Sequence, residues 1–256
     1  MTLEAQPAIT FRNVTVGFPI GRRIGGRRFV ALRNLSLSIR HGEKVAVLGR
    51  NGAGKSTMLR LIAGTIAPDS GEILRSHGRC QLLTIGAGFI PHLSGRENAI
   101  LGGLLQGISQ REMATRLDAV ADFSELGEFF DQPINTYSAG MRARLGFAVA
   151  LQLEPDILLL DEVLGVGDRE FRQKSREAIR ERLRSDATVV LVSHDERTVA
   201  EFCDRVVWIE HGELVDEGPV EEVLRRYRDV APTSSAVAAN ASAASPDRAT
   251  SGQTEN

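Results

Sequence analysis

The stretch from Lys44 to Thr57, KVAVLGRNGAGKST, constrains the fold of this chain more than any other. Val45 to Leu48 is a short apolar run of the kind that forms a buried strand. It breaks into a glycine-rich turn, and Lys55 and Ser56 open a segment that reads as helix through Ala63. Gly49 to Ser56 has the spacing G-x-x-x-x-G-K-S of a phosphate-binding loop. Gly49, Gly52 and Gly54 accept backbone angles closed to other residues, so successive N–H groups turn inward and form a concave anion site. That site lies at a helix N-terminus, where the helix dipole also favours negative charge. Gly49, Arg50, Asn51, Gly52, Ala53, Gly54, Lys55, Ser56 and Thr57 are therefore the candidate phosphate-binding residues. Lys55 is placed to reach β- and γ-phosphates, and the Ser56 hydroxyl to ligate Mg2+.

The whole chain sets outer bounds. A length of 256 residues suits one domain, or one domain with lobes. A formal net charge of −2 gives no overall case for nucleic-acid binding. Cys80 and Cys203 are too few for a disulfide framework and lack metal-ligand spacing, which points to a reducing compartment. The opening residues, MTLEAQPAITF, show no basic segment followed by an apolar run, so no signal peptide is predicted. No apolar stretch approaches the roughly 20 residues that cross a bilayer. The prediction is a soluble chain whose membrane role, if any, comes through a partner.

Taken in order, the pattern alternates strands and helices. Ile9 to Val16 alternates apolar and polar residues and predicts an edge strand, and Val30 to Ile39 predicts its return. Between them GRRIGGRRF, residues 21–29, is either a solvated hairpin tip or a basic loop facing an anionic partner. Short strands are predicted around Glu72–Leu74 and Cys80–Ile85. Ser94 and Glu97 form a capping box that opens a helix through about Leu105. Ser109 caps another, on which Met113, Leu117 and Val120 share a buried face. This run, and the nearly all-apolar helix after Tyr137-Ser138-Ala139-Gly140-Met141, predicts a helical lobe over about 94–153 set into an α/β core. Ile157–Leu160 and Thr188–Val192 are uniformly apolar, as strands of a parallel sheet covered on both faces are. A charged helix is predicted from Asp168 to about Arg184, and another from Glu196 to Phe202. Strands Arg205–Glu210 and Glu213–Asp216 bracket a His211-Gly212 turn, and Pro219 starts a last helix. From Ala231 the composition falls to Ala, Ser, Thr, Asn and Pro, too little apolar surface to offset ordering entropy. The prediction is a folded unit over 1–230 and a disordered tail over 231–256.

Two strand ends carry further chemistry. Asp161 and Glu162 follow a buried strand, on the side of a parallel sheet where ligands gather. Asp161 fits a role holding Mg2+, and Glu162 fits a base that polarises an attacking water. His194 ends the next buried strand, where it would hydrogen-bond a γ-phosphate. Glu162, His194 and Lys55 are the candidate catalytic residues, and Ser56 and Asp161 the candidate metal ligands.

GRNGAGKST, YSAGM, LLLDE and LVSHD, in this order, resemble the ATP-binding cassette (ABC) ATPases over about residues 8–229. The resemblance implies an α/β fold: a phosphate-loop (P-loop) ATPase core with a mostly parallel sheet, an N-terminal antiparallel β subdomain and an inserted helical lobe. It implies a head-to-tail homodimer that binds ATP and Mg2+. Each ATP would lie between one chain's phosphate loop and the other's Ser138–Gly140 helix N-terminus. Asp168, in GVGD, matches the loop that crosses between subunits, and Phe18 matches the aromatic residue that stacks on adenine. YSAGM departs from the family's usual LSGGQ but keeps Ser138 and Gly140. No Gln stands in Thr84–Phe89, where these ATPases usually carry one reaching Mg2+ and the membrane partner, and Gln81 comes several residues early.

GAGF, LSGREN, YSAGMRARL and DEVLGVGD further resemble the ATPases of polysaccharide exporters, which move capsular polysaccharide, O-antigen or teichoic acid. That implies an ATP-hydrolysing subunit at the cytoplasmic face of the inner membrane, a polytopic membrane permease as partner, and a polysaccharide or glycolipid cargo. The arginine loop would then face lipid pyrophosphate or headgroups. The alternatives are a transporter of another cargo, a soluble cassette protein acting on ribosomes or DNA, and a small-molecule kinase or GTPase. The YSAGM helix and the His194 strand stand against the last. The absence of a second cassette or of coiled-coil or zinc insertions stands against the soluble cassette.

Overall fold

A computed structural model describes residues 7–20, 27–76, 78–83, 88–161, 168–193 and 195–230. Glu162, His194, most of the arginine loop, Thr84–Ala87 and the tail lie outside these residues. The chain runs β1 (Pro7–Pro19), β2 (Arg28–Arg40), β3 (Lys44–Leu48), α1 (Lys55–Ile62), β4 (Ser70–Arg75) and β5 (Cys80–Leu82). It continues with α2 (Gly95–Leu105), α3 (Gln110–Thr115), α4 (Leu117–Ser124), two short 3-10 turns, α5 (Ala139–Leu151) and β6 (Ile157–Leu160). It closes with α6 (Arg169–Leu183), β7 (Thr188–Val192), α7 (Glu196–Phe202), β8 (Arg205–Glu210), β9 (Glu213–Pro219) and α8 (Val220–Val230).

The six-stranded sheet has the order β5-β6-β7-β3-β8-β9, parallel except for β9. Its central strands do not alternate in polarity because both faces are covered. Val45 and Val47 of β3, Leu159 of β6 and Val190 of β7 join a core that includes α1 and the antiparallel sheet. Leu158, Leu160, Val189 and Leu191 face the other way, against Phe147, Phe171 and Ile179. Ala46, Leu48, Val206 and Trp208 pack under Val199, Val223 and Leu224 of α7 and α8. Burying such side chains contributes about 1.5–3 kcal/mol each, so these runs fix the sheet.

The antiparallel sheet has the order β2-β1-β4. Alternation predicted β1 as an edge strand, but it is the central one, paired with β2 on one side and β4 on the other. Alternation reports that one face is buried, which holds for central and edge strands alike. The hairpin closes with Ile20 N–H donating to the Arg27 carbonyl at 2.8 Å. Arg28, at its mouth, ion-pairs with Asp69 at 2.7 Å and donates to the Gly17 carbonyl, so it ties β1 to the start of β4.

Ser94 caps α2 through the predicted box: its hydroxyl accepts the Glu97 N–H, and the Glu97 carboxylate accepts the Ser94 N–H at 2.8 Å. Met113, Leu117 and Val120 are buried as predicted, but on two helices that break at Arg116. Pro219 ends β9 rather than opening α8, consistent with its missing N–H at a strand terminus.

Candidate active site

The parallel register sets the site. Val47 of β3 pairs with Val192 of β7, and Leu160 of β6 pairs with Leu191, so the phosphate loop, Ser193 and Asp161 leave the same edge of the sheet. The loop's shape depends on two glycines. Gly49 has φ 146°, and a Cβ there would collide with the Ile209 carbonyl oxygen. Gly54 has φ 110°, and a Cβ would stand 2.5 Å from the Ala31 carbonyl oxygen. No other residue takes these angles at such close approach. Lys55, 8% exposed, folds back so that its ammonium donates to the Gly49 and Arg50 carbonyls at 2.7 and 3.0 Å. Gly54 caps α1 and, having no side chain, places no side-chain acceptor over the first turn of the helix.

Asn51, Gly52, Gly54, Lys55, Ser56, Thr57 and Asp161 line one cleft, with Val192, Ala31 and Phe29. Ser56 and Asp161 therefore meet in one place although 105 positions separate them in sequence (161 − 56). Phe18 is not on this lining. It is partly buried against the core, and its cross-strand neighbour Phe29, half exposed, is the aromatic residue on the cleft wall. Nothing in the sequence distinguishes the two, because each flanks the arginine-rich segment on one side.

Ser138 and Gly140 lie elsewhere. Ser138 caps α5 by accepting the Met141 N–H at 3.1 Å, and Ser138, Ala139 and Gly140 are exposed. Tyr137 is buried, and its hydroxyl donates to the Phe129 carbonyl, which anchors the motif to the lobe. Asp168 caps α6 by accepting the Phe171 N–H at 2.9 Å and also pairs with Arg144 of α5. The Phe171 amide and then the Arg144 guanidinium hold the Asp168 carboxyl below the usual carboxylate range. Arg144 stacks over the Phe171 ring at 4.9 Å and reaches Glu125 at 3.2 Å, and Lys174 also pairs with Glu125. Arg144 was not singled out in the sequence, yet it connects the Ser138 helix to Asp168.

The sequence matches the ABC transporter family over residues 32–165. This chain belongs to that family. It is 43% identical over 242 residues to the O-antigen export system ATP-binding protein RfbB of Klebsiella pneumoniae, covering 87% of this chain and 98% of that one. It is 46% identical over 224 residues to the teichoic acids export ATP-binding protein TagH of Lactococcus lactis subsp. lactis, covering 88% of this chain and 48% of TagH. Among solved structures, the ATP-binding cassette MJ0796, a dimer in a post-hydrolysis state bound to ADP and Pi, matches with a TM-score of 0.66 at 27% identity. That match covers 83% of this chain and 98% of the cassette. The chain is thus an ABC ATPase, an enzyme that binds and hydrolyses ATP, and its α/β fold is that of the family's cassettes. Against the family pattern, Gln81 does not stand in for the missing Gln. It is buried within β5, and its amide nitrogen approaches the Ala150 carbonyl at 3.5 Å.

Proposed function

We propose that this ABC ATPase powers export of a polysaccharide, such as a lipid-linked O-antigen, across the inner membrane of a bacterium. The observation that carries the proposal is the match to RfbB over 87% of this chain and 98% of RfbB. Two copies would act beneath a separate membrane permease. Among the described residues no helix is long and apolar enough to cross a membrane, so the translocation path would be the partner's. Leu104 and Leu105, exposed at the end of α2, with Leu105 beside Gly88, support a permease contact there.

In this reading the cleft of each chain holds ATP phosphates on backbone N–H groups of the phosphate loop and the start of α1, while the Arg50 and Ala53 N–H groups stay bonded within the protein. Lys55 exchanges its carbonyl partners for phosphate oxygens, and Phe29 or Phe18 borders the base. Ser56 and Asp161 offer a hydroxyl and a carboxylate, the hard oxygen donors Mg2+ takes when phosphates and water complete its shell. When bound, Mg2+ neutralises charge on the phosphates. Glu162, one residue past Asp161, polarises the attacking water, and His194 holds the γ-phosphate. Ser138 and Gly140 close the partner's site, and Asp168 lies on the loop between subunits. The head-to-tail dimer is supported by the exposure of the Ser138 helix end, which is not part of the chain's own cleft lining.

The test is affinity purification of the tagged chain from detergent-solubilised native membranes, with mass spectrometry of protein and glycolipid. The expected result is a polytopic membrane protein in equal amount, and ATPase activity stimulated by co-extracted lipid-linked sugar. The same permease with no glycan would redirect the cargo. Ribosomal or DNA-repair partners without a membrane protein would overturn the transport role.

A further inference from the structure

Glu210 stands 160 residues from the phosphate loop in sequence, at the end of β8, yet its Oε1 accepts the N–H of Arg50 at 3.1 Å. The Trp208 indole N–H reaches the same oxygen at 3.4 Å, and Trp208 is braced edge-on by Tyr227, with ring centroids 5.2 Å apart. The rest of the β8–β9 turn meets the loop on either side of this bond. Gly49 lies so close to the Ile209 carbonyl that a Cβ has no room. Gly212 N–H donates to the Ala53 carbonyl at 3.0 Å, and the Gly212 carbonyl accepts the Arg33 N–H of β2 at 2.8 Å. A Cβ on Gly212, at φ 82°, would stand 2.7 Å from the Ala31 carbonyl oxygen. The turn is therefore clamped between β2 and the phosphate loop.

Within that clamp Glu210 is the ionisable group bonded to the loop backbone, and a carboxylate makes a stronger hydrogen bond to a backbone N–H than a neutral acceptor does. A negative charge behind a phosphate cradle opposes anion binding by Coulomb's law. Its favourable contribution is therefore geometric: it fixes the Arg50 peptide, and with it the direction of the N–H groups that follow. We infer that Glu210 is a positioning residue for the phosphate loop, acting through the Arg50 peptide on nucleotide affinity and not on the reacting atoms. This rests on the reading of Gly49–Thr57 as the nucleotide site.

The test uses the full chain, with KM and kcat for MgATP and the affinity for a fluorescent ATP analogue. Glu210→Ala raises KM about tenfold, the scale of one lost charge-assisted bond. It leaves kcat within about twofold, the signature of lost binding rather than lost transition-state contact. Glu210→Gln keeps an acceptor oxygen at the same reach and returns KM to within about twofold of the unsubstituted chain. Glu210→Asp, one methylene short, behaves like Glu210→Ala and carries the test should the alanine variant not fold. An unchanged KM in Glu210→Ala, a glutamine variant no better than alanine, or an equal fall in kcat and kcat/KM overturns the inference. Lys55→Ala, measured alongside, separates the two claims. If it loses analogue binding while Glu210→Ala binds normally, the positioning role alone fails. If it binds normally, the site reading fails and the inference with it.

Discussion

Two helix N-termini in this ATPase combine glycine with a serine hydroxyl, and they differ in how their backbone donors are satisfied. At α1 the cap is Gly54, which offers no side-chain acceptor, and Lys55 is buried behind the turn. No side chain caps the first turn, and Ser56 lines the cleft together with Asp161. At α5 the cap is Ser138, whose own hydroxyl accepts the Met141 N–H, and the next two residues face open solvent. In the proposed reading, the difference separates a site assembled within one chain from a helix end that would meet a second chain. Both ends favour negative charge through the helix dipole. Only the first opens onto a cleft lined by other elements of its own subunit.

The sharpest way to break this comparison is at Gly49. Gly49→Ala sets a methyl against the Ile209 carbonyl oxygen, so the loop must move. Analogue affinity is expected to fall by more than about 100-fold, because misplaced donors lose several phosphate bonds at once. Gly52→Ala is the control. Nothing lies within 4 Å of its Cβ, so the cost is limited to holding φ 82°, about 1–2 kcal/mol. Equal affinity losses in the two variants would show that backbone freedom, not close approach, sets the loop.

The second test moves to the other helix. A Cβ at Gly140 meets only the Ser138 Oγ, at 3.7 Å, so Gly140→Asp fits without disturbing the fold. If this end faces the partner's γ-phosphate, the added carboxylate repels it, and turnover should fall at least about tenfold. Analogue binding to the chain's own phosphate loop should be unchanged. A fall in monomeric nucleotide affinity, measured at low protein concentration, would mean that the α5 end belongs to the same subunit's site.

The sequence revealed most of what local chemistry decides. The Lys44–Thr57 strand and loop, the Ser94 and Ser109 caps, and the double-sided strands β6 and β7 are where their patterns place them. What it did not reveal depends on pairing across distance. The central place of β1 comes from β4, some 60 residues later, and no feature of β1 itself encodes it. That Phe29 joins the cleft wall depends on how two opposed aromatic residues turn at a hairpin mouth. Arg28 looked available to an anionic partner in a run of arginines, but Asp69 claims it. Replacing the arginine loop to test lipid contact would therefore also loosen β1 from β4 through Arg28. Glu210 escaped notice for a similar reason: a glutamate before a turn carries no mark of the backbone amide it meets.

A third helix N-terminus sharpens the contrast with the smallest effect. At α6 the cap is a carboxylate, Asp168, satisfied by the Phe171 N–H and by Arg144. This end is capped by a charge, where α5 is capped by a neutral hydroxyl and α1 by no side chain. The folded-state pKa of Asp168 is depressed, so its contribution to stability is present above the ordinary aspartate value, about 3.9, and is lost as pH falls through the lower folded value. Glu125, held down first by Lys174 and also by Arg144, follows the same sign. Asp168→Asn keeps a good cap, since Asn and Asp serve equally there, but removes the charge that Arg144 meets. The melting temperature of the unsubstituted chain should therefore exceed that of Asp168→Asn by a small, constant margin from pH 8 to about pH 5, a margin that closes below about pH 4. High salt should shrink it, because Asp168 is exposed and its pairing is screened. A margin that closed between pH 7 and 6 would implicate a histidine instead. A margin absent at every pH would mean that the Phe171 amide alone caps α6 and that Arg144 is held by Glu125 and the Phe171 ring.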